Sequence, residues 1–129
     1  PNEPRMFGVT FGWKALRGSM GSALRLPILH VANIHVAVQE LRRHGAGIVA
    51  TLPRAATPMF EARLTGPLAL LIGGEGPGLP DDIVDGADLR VTIPMTASVE
   101  SLNAAVAAAV LLYEARRQRT AGARVEAVP

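Results

Sequence analysis

The chain has 129 residues, a length that predicts one domain with its own hydrophobic core. It contains no cysteine, which excludes disulfides, thiolate metal sites and cysteine nucleophiles. The formal net charge is +2, and all of the 13 basic residues except Lys14 are arginine, a bias that either a GC-rich genome or a need for phosphate contacts would produce. No signal peptide and no apolar run of about 20 residues is visible, so we expect a cytoplasmic protein without membrane contact.

The first part of the sequence predicts an irregular segment, a helix and a strand. Residues 1–12 carry prolines and glycines without periodicity and are predicted to be irregular. A helix is predicted over residues 13–26, although Gly18 and Gly21 within it each cost about 1 kcal/mol relative to alanine. Its inward side chains are predicted to be Trp13, Leu16, Met20, Ala23 and Leu24. Residues 27–32 then predict a short buried strand.

The middle of the chain alternates between predicted helices and strands. In chain order these are an amphipathic helix over residues 34–44, a strand over 47–52, a short helix over 57–64, an apolar strand from Leu68 and a helix of one or two turns over 79–86. A last strand is predicted over residues 88–93. Strands separated by helices predict the α/β class, with a parallel sheet and helices on both of its faces.

The ionisable residues of this region do not have the spacing of a metal site. His30, His35 and His44 are scattered, and we predict structural or surface positions for them. Asp81 and Asp82 lie near the start of a predicted helix, where the helix dipole favours anions. No second carboxylate cluster completes a magnesium or acid–base site with them. We therefore expect no metal.

A long alanine-rich helix is predicted after a break at Pro94, with Ser98 as its N-cap and an arginine-rich exit at Arg119. One stripe of this helix is apolar and comprises Leu102, Val106, Ala109, Val110 and Tyr113. The opposite stripe is small and comprises Ala104, Ala105, Ala107 and Ala108. Small residues let another backbone come close, which predicts burial of the helix against more than one neighbour. Residues 120–129 are predicted to form a polar tail.

A glycine-rich loop, GGEGPG at residues 73–78, follows the apolar strand and carries one carboxylate, Glu75. No lysine follows Gly78, which excludes a P-loop, and the spacing and position do not fit the dinucleotide-binding fingerprint. Because side chains are missing, a ligand can approach the main-chain N–H and C=O groups. An adenine or a methionine moiety can be held in this way, which suits a sulfonium cofactor better than a triphosphate.

Three stretches resemble the SpoU family of RNA ribose 2′-O-methyltransferases, which are knotted enzymes that use S-adenosylmethionine. The strand and loop LALLIGGEGPGL, at residues 68–79, resemble the family's second motif. IPM at residues 93–95 and SLN at residues 101–103 resemble its third motif. KALRGSMGSALRLPI, which begins at Lys14, is similar to the stretch between the first and second motifs. The resemblance covers residues 13–119.

The resemblance implies a C-terminal trefoil knot and a homodimer packed through the C-terminal helix. It also implies methyl transfer from S-adenosylmethionine to a ribose 2′-hydroxyl of ribosomal or transfer RNA, without a metal. The cofactor-binding residues would be Leu52, Gly73, Ile93, Met95 and Leu102. The catalytic side chains would be Glu75, Ser101 and Asn103. Arg17 would contact an anionic group of the RNA substrate.

One motif of the family is not found in the sequence. The first motif, an asparagine followed several residues later by an arginine, should precede the KALRGS stretch, and in the family it supplies the arginine that activates the hydroxyl. The chain therefore resembles the C-terminal part of a methyltransferase, with a domain over residues 13–119 that is incomplete at its N-terminus. Two hypotheses follow: the catalytic domain of an RNA 2′-O-methyltransferase, and a non-catalytic knotted domain that dimerises and binds RNA through its arginines.

Overall fold

The structure is a computed structural model that describes residues 13–74, 76–99 and 101–126. The chain divides into two compact units, residues 1–34 and residues 35–129. The irregular lead predicted at residues 1–12 lies outside the described residues, as does Glu75. Among the described residues, no helix combines the length and the apolarity that a membrane crossing requires.

Residues 13–26 contain two short helices instead of the single helix predicted there. Helix α1 (Trp13–Gly18) is followed by Met20 and Gly21, whose φ angles of 52° and 83° are left-handed, and then by a 3-10 helix (Ser22–Leu24). Left-handed residues end a right-handed helix, and glycine adopts this conformation without a steric cost. The prediction that Trp13, Met20 and Leu24 point inward is also wrong, because all three side chains are exposed.

The prediction of a buried strand over residues 27–32 is wrong as well. These residues have no regular structure, and Leu29 is 86% exposed. An apolar run becomes a strand only where a neighbouring strand satisfies its backbone N–H and C=O groups. None of the described strands pairs with this run.

The second unit is built on a four-stranded parallel sheet. Its elements, in chain order, are helix α2 (Ile34–Arg43), strands β1 (Gly47–Thr51), β2 (Thr57–Pro58) and β3 (Leu68–Leu71), helix α3 (Asp81–Asp85), strand β4 (Leu89–Thr92) and helix α4 (Ala104–Glu126). The strand order is β2-β4-β1-β3, and all neighbouring strands are parallel. The predicted α/β class and parallel sheet are therefore confirmed.

The short edge strand β2 takes the place of the helix predicted over residues 57–64. Thr57 pairs with Val91, and the N–H of Met59 donates to the carbonyl of Thr92 at 2.9 Å. Pro58 has no N–H group to donate, which is tolerated on the edge of a sheet. Thr57 and Pro58 are residue types that suit a helix start, but pairing with β4 satisfies the backbone of this segment instead.

Helix α4 packs on the core through the side that carries Ala107 and Leu111, and Val110 of the predicted apolar stripe also contacts the core. The buried cluster comprises Val49, Met59, Ala62, Leu64, Val91, Leu111 and Ala115. In α4, Leu111 is fully buried, and Ala107 and Ala115 beside it are buried too. Val106 and Tyr113, which belong to the apolar stripe, are 48% and 73% exposed. The alanines let the helix backbone approach the core closely, so that the larger Leu111 fills the space between them.

Both ends of α4 differ from the sequence prediction. Asn103, rather than Ser98, is the N-cap, because its Oδ1 accepts hydrogen bonds from the N–H groups of Ala105 at 2.9 Å and Val106 at 3.4 Å. Asparagine is among the residues that cap helices best. At the other end the helix continues past Arg119 to Glu126, so residues 120–126 of the predicted tail are helical.

A polar network ties α4 to the connection between β2 and β3. Gln118 accepts a hydrogen bond from the N–H of Leu64 at 2.8 Å and donates to the carbonyl of Ala62 at 2.9 Å. Gln118 also donates to Glu114, which is buried and accepts two further hydrogen bonds from Arg117 at 2.8 and 2.9 Å. The bonds from Arg117, followed by the bond from Gln118, lower the pKa of Glu114 from 4.5 to about 2.

Helix α2 is tied to the starts of β1 and β4 through Asp88. This carboxylate accepts hydrogen bonds from the N–H of Ile48 at 2.7 Å and from Arg42 at 3.1 Å, and Arg42 also donates to the carbonyl of Gly86. The bond from Ile48, assisted by Arg42, lowers the pKa of Asp88 below its usual value. The amino ends of both strands are thereby fixed.

We expect Glu114→Gln to reduce the pH dependence of folding stability. The pKa of Glu114 is about 2 in the folded chain against an ordinary 4.5, so its carboxylate stabilises the fold fully above pH 4.5, and this contribution is lost as the pH falls toward 2. Urea unfolding followed by circular dichroism at several pH values will measure the effect. Glu61→Gln, at an exposed carboxylate, is the control. The interpretation fails if Glu114→Gln and the unchanged chain lose stability in parallel over this pH range.

Candidate functional site

A cavity of about 840 Å³ opens beyond the carboxyl ends of β1, β3 and β4, beside the first turn of α4. Ligands of parallel α/β sheets bind at this edge, because the loops that leave the strands meet there. The walls come from four segments of the second unit, around Thr51, Gly73, Ile93 and Leu102. Helix α3 adds Asp81 to them.

The structure brings most of the sequence-predicted site residues together around this cavity. Those that line it are Leu52, Gly73, Ile93, Met95, Ser101, Leu102 and Asn103. Glu75 belongs to the same glycine loop but lies outside the described residues. Arg17 lies in the first unit, where it is exposed and its guanidinium is 5.8 Å from the centre of the Trp13 ring. The roles assigned to these residues stay predictions.

The glycine loop folds back tightly on itself. A Cβ atom on Gly73 would lie 2.7 Å from the Cα of Gly78 and 2.9 Å from the nitrogen of Leu79, distances that atoms do not adopt. Gly76 and Gly78 have φ angles of 104° and 74°, in the left-handed region that favours glycine. The described glycines of the loop therefore present their main chain to the cavity.

The cavity carries little charge. Among its described lining residues, only Asp81 has an ionisable side chain. The rest of the described wall is main chain, small polar groups and apolar side chains such as Leu52 and Met95. A wall of this kind accepts a flat apolar ring and does not repel a cationic sulfur. No group of His, Asp and Glu side chains suited to a metal ion exists among the described residues.

The sequence analysis did not single out Thr51 as a site residue. The Oγ1 atom of Thr51 is buried beside the cavity and has no hydrogen-bond partner within the described parts of the chain. A buried hydroxyl without a partner costs about 1–3 kcal/mol, and a ligand that bonds it would remove that cost. The signal in the sequence is a polar residue at the carboxyl end of an otherwise apolar strand.

We expect Gly73→Ala to destabilise the fold by on the order of 1–3 kcal/mol, because its methyl group would overlap the backbone of Gly78 and Leu79. Gly74→Ala is the matched control, since a Cβ atom at Gly74 meets nothing within 4 Å. Urea unfolding curves of the two variants will show the difference. Equal loss of stability in both variants would contradict the close packing of the loop.

The sequence is similar to known proteins over most of its length. A profile of the SpoU rRNA Methylase family matches residues 8–113. The 23S rRNA (guanosine-2′-O-)-methyltransferase RlmB of Ralstonia nicotianae is 39% identical over 100 residues, which cover 78% of this chain and 40% of that protein. This chain therefore spans well under half of that relative.

Solved structures share the fold. The SpoU methyltransferase AviRb from Streptomyces viridochromogenes, crystallised in complex with AdoMet, is 37% identical with a TM-score of 0.76, and the match covers 87% of this chain and 46% of that one. A TrmH/SpoU tRNA modifying enzyme of A. aeolicus is 34% identical with a TM-score of 0.76, over 88% of this chain and 59% of that one. Sequence and structure agree that the chain belongs to the SpoU rRNA methylase family.

Proposed function

We propose that the chain is the cofactor-binding part of an RNA methyltransferase that transfers a methyl group from S-adenosylmethionine to a ribose 2′-hydroxyl of ribosomal or transfer RNA. The observation that carries this proposal is one cavity lined by both the glycine loop and residues 93–103. Membership of the SpoU family supports the chemistry, and the relatives named above are modifiers of 23S rRNA and of tRNA. We also propose that the protein is located in the cytoplasm, where its RNA substrate is found.

The cavity suits S-adenosylmethionine in size and polarity. Its volume of about 840 Å³ lies within the range of about 300–1,000 Å³ that small-molecule sites occupy. The main chain of Gly73, Ile93 and Leu102 is proposed to hydrogen-bond the cofactor, while Leu52 and Met95 pack against its adenine. The cofactor seen in AviRb supports this assignment.

The proposed reaction requires the protein to position a weak nucleophile, the ribose 2′-hydroxyl. When bound, S-adenosylmethionine would supply a methyl group on a cationic sulfur. Transfer of this group to the ribose 2′-oxygen would release S-adenosylhomocysteine, and the hydroxyl proton would pass to a base. The chain must hold that oxygen in line with the methyl group, exclude water and stabilise the negative charge that develops. Ser101 lines the cavity and is proposed to contact the ribose. Glu75 and Arg17 are proposed to act at the reacting centre and on an RNA anion, respectively.

Asn103 is proposed to be a positioning residue. Its Oδ1 already accepts the N–H groups of Ala105 and Val106, so only its Nδ2 group is left to donate toward the cavity. As the N-cap, Asn103 determines where α4 begins and so where Ser101 and Leu102 meet the cavity wall.

A second candidate function is a non-catalytic domain that dimerises and binds RNA. The observation in its favour is the arginine bias, since 12 of the 13 basic residues are arginine, which can contact RNA phosphates without a cofactor. Such a domain would bind RNA without S-adenosylmethionine. The two candidates therefore differ in one measurable property, the affinity of the chain for the cofactor.

A homodimer through α4 is part of the proposal. Val106, Ala109 and Tyr113 lie on one side of the helix and are exposed, whereas Leu111 and Ala115 on the other side are buried in the core. An α-helix with apolar residues on two sides has a second surface to bury. The stripe of Val106, Ala109 and Tyr113 is the surface that we assign to the partner copy.

The trefoil knot implied by the resemblance also belongs to the proposal. Family membership and the likeness to AviRb support it. In such a knot the chain after β4 passes through an earlier loop, which is a rare exception to ordinary chain topology. A crystal structure in which the continuous chain is not knotted would contradict the proposal.

We expect calorimetric titration of the purified chain to show binding of S-adenosylmethionine. With tritiated cofactor and ribosomal RNA, the methylated products are expected to resist alkaline cleavage at the labelled nucleotides, because alkali cleaves RNA through a free 2′-hydroxyl. Binding without methyl transfer would favour the non-catalytic domain. If the chain does not bind S-adenosylmethionine, the enzyme proposal is wrong.

We expect Met95→Lys to weaken S-adenosylmethionine binding by about tenfold or more, because it places a cation in a cavity whose described lining has none. S-adenosylhomocysteine, whose sulfur is uncharged, should lose less affinity. Met20→Lys is the control, since Met20 is exposed in the first unit. Equal losses for the two ligands would show that Met95→Lys acts by shape and not by charge.

We expect Tyr113→Arg to shift the chain from dimer to monomer in sedimentation experiments, because it adds a charge to the surface assigned to the partner copy. Leu112→Arg is the matched control, because Leu112 is also exposed but lies off this stripe. An unchanged sedimentation coefficient for Tyr113→Arg would exclude α4 as the dimer interface.

A further inference from the structure

Arg54 lies next to the cavity wall and contacts no other polar group of the described residues. Pro53, which precedes it, lines the cavity, and Arg54 itself is exposed. Most arginines of the second unit donate side-chain hydrogen bonds, namely Arg42, Arg43, Arg63, Arg90, Arg117 and Arg119. Within the described part of that unit, only Arg116 and Arg124 share the lack of a partner with Arg54. The side chain of Arg54 is therefore free to bind a ligand.

The backbone around Arg54 is held on both sides by one residue of β4. The hydroxyl of Thr92 donates to the carbonyl of Pro53 at 3.1 Å, and the carbonyl of Thr92 accepts the N–H of Met59 at 2.9 Å. Between these two bonds, Ala55 has a φ of 55°, a conformation that costs a non-glycine residue on the order of 1–3 kcal/mol. A strained loop anchored at both ends presents Arg54 in a defined place.

The described lining of the cavity has no cation of its own and one carboxylate, that of Asp81. An anion at the mouth of the cavity therefore needs a cation from outside this lining, and Arg54 directly follows Pro53 of the wall. On the other side of the loop, a shallow groove is lined by Glu61 and Asp88, whose carboxylates repel an anion. Arg90 in that groove already donates to the carbonyls of Val84 and Asp85.

We propose that Arg54 binds a phosphate of the RNA beside the ribose that is methylated, an inference that rests on the proposed function. A ribose 2′-hydroxyl lies next to the 3′-phosphate of its own nucleotide, so a phosphate must come near the cavity mouth whenever the hydroxyl enters it. The guanidinium offers two parallel N–H donors that match two phosphate oxygens. Arg54 is thus a substrate-binding residue that orients the nucleotide.

The test measures the affinity of a fluorescein-labelled oligoadenylate by anisotropy at several salt concentrations. Arg54→Ala should weaken binding about fivefold and lower the steepness of log affinity against log salt by about 0.7, the value for one phosphate contact in single-stranded RNA. Arg54→Lys should keep the salt slope and recover part of the affinity, because its charge remains while the forked geometry is lost. Calorimetry on the same proteins should show unchanged affinity for S-adenosylmethionine.

Arg124→Ala is the matched control, because Arg124 is exposed, has no partner among the described residues and lies about 30 Å along α4 from its start. Equal salt slopes for Arg54→Ala and the unchanged chain would overturn the inference, as would an equal effect of Arg124→Ala. A loss of cofactor affinity in Arg54→Ala would assign the residue to the fold and overturn it too. In these cases the proposed function stands if the unchanged chain binds S-adenosylmethionine. If the unchanged chain does not bind it, the proposed function and the role of Arg54 at a methylated ribose both fail.

Discussion

The parallel pairing of β1 with both β3 and β4 is the constraint on which the site depends. Ala50 pairs with Leu71 on one side and with Arg90 on the other, so the three strands run to the same edge of the sheet. The chain leaves each strand at that edge, and the three loops surround one cavity. The strands contribute position, since buried residues such as Ile48 and Val49 hold them in place, while the loops contribute the groups that can meet a ligand.

Helix α4 connects the site to the core, because its first turn contacts the cavity and its middle contacts the core. Its first turn, capped by Asn103, forms a wall of the cavity, and its middle places Leu111 in the hydrophobic cluster. Alanines make both possible, since a bulkier helix could not lie so close to the sheet. The opposite side of the helix, with Val106 and Tyr113, stays exposed.

The sequence predicted several elements of the fold and most of the described residues that were expected to share one cavity. Strands β1, β3 and β4 and helix α2 were predicted because their apolar patterns coincide with their burial, and the motif residues proved to line one cavity. The helix over residues 57–64 was wrong because pairing with β4, a contact distant in sequence, overrides the local preferences of Thr57 and Pro58. The sequence did not show which side of α4 meets the core, because hydrophobicity alone ranks Tyr113 above Ala107, whereas close packing favours the smaller side chain. The sequence has no signature strong enough to identify the hydroxyl of Thr51, which lacks a partner among the residues that the structure describes.

The side chain of Gln118 satisfies the backbone hydrogen-bonding groups of a neighbouring segment, as a paired strand would. It accepts the N–H of Leu64 and donates to the carbonyl of Ala62, so one amide group satisfies a donor and an acceptor on the connection between β2 and β3. If the last turns of α4 frayed, both backbone groups would lose their partners at once. The end of the helix and this connection should therefore open cooperatively, as one unit, even though they lie more than fifty residues apart in the chain.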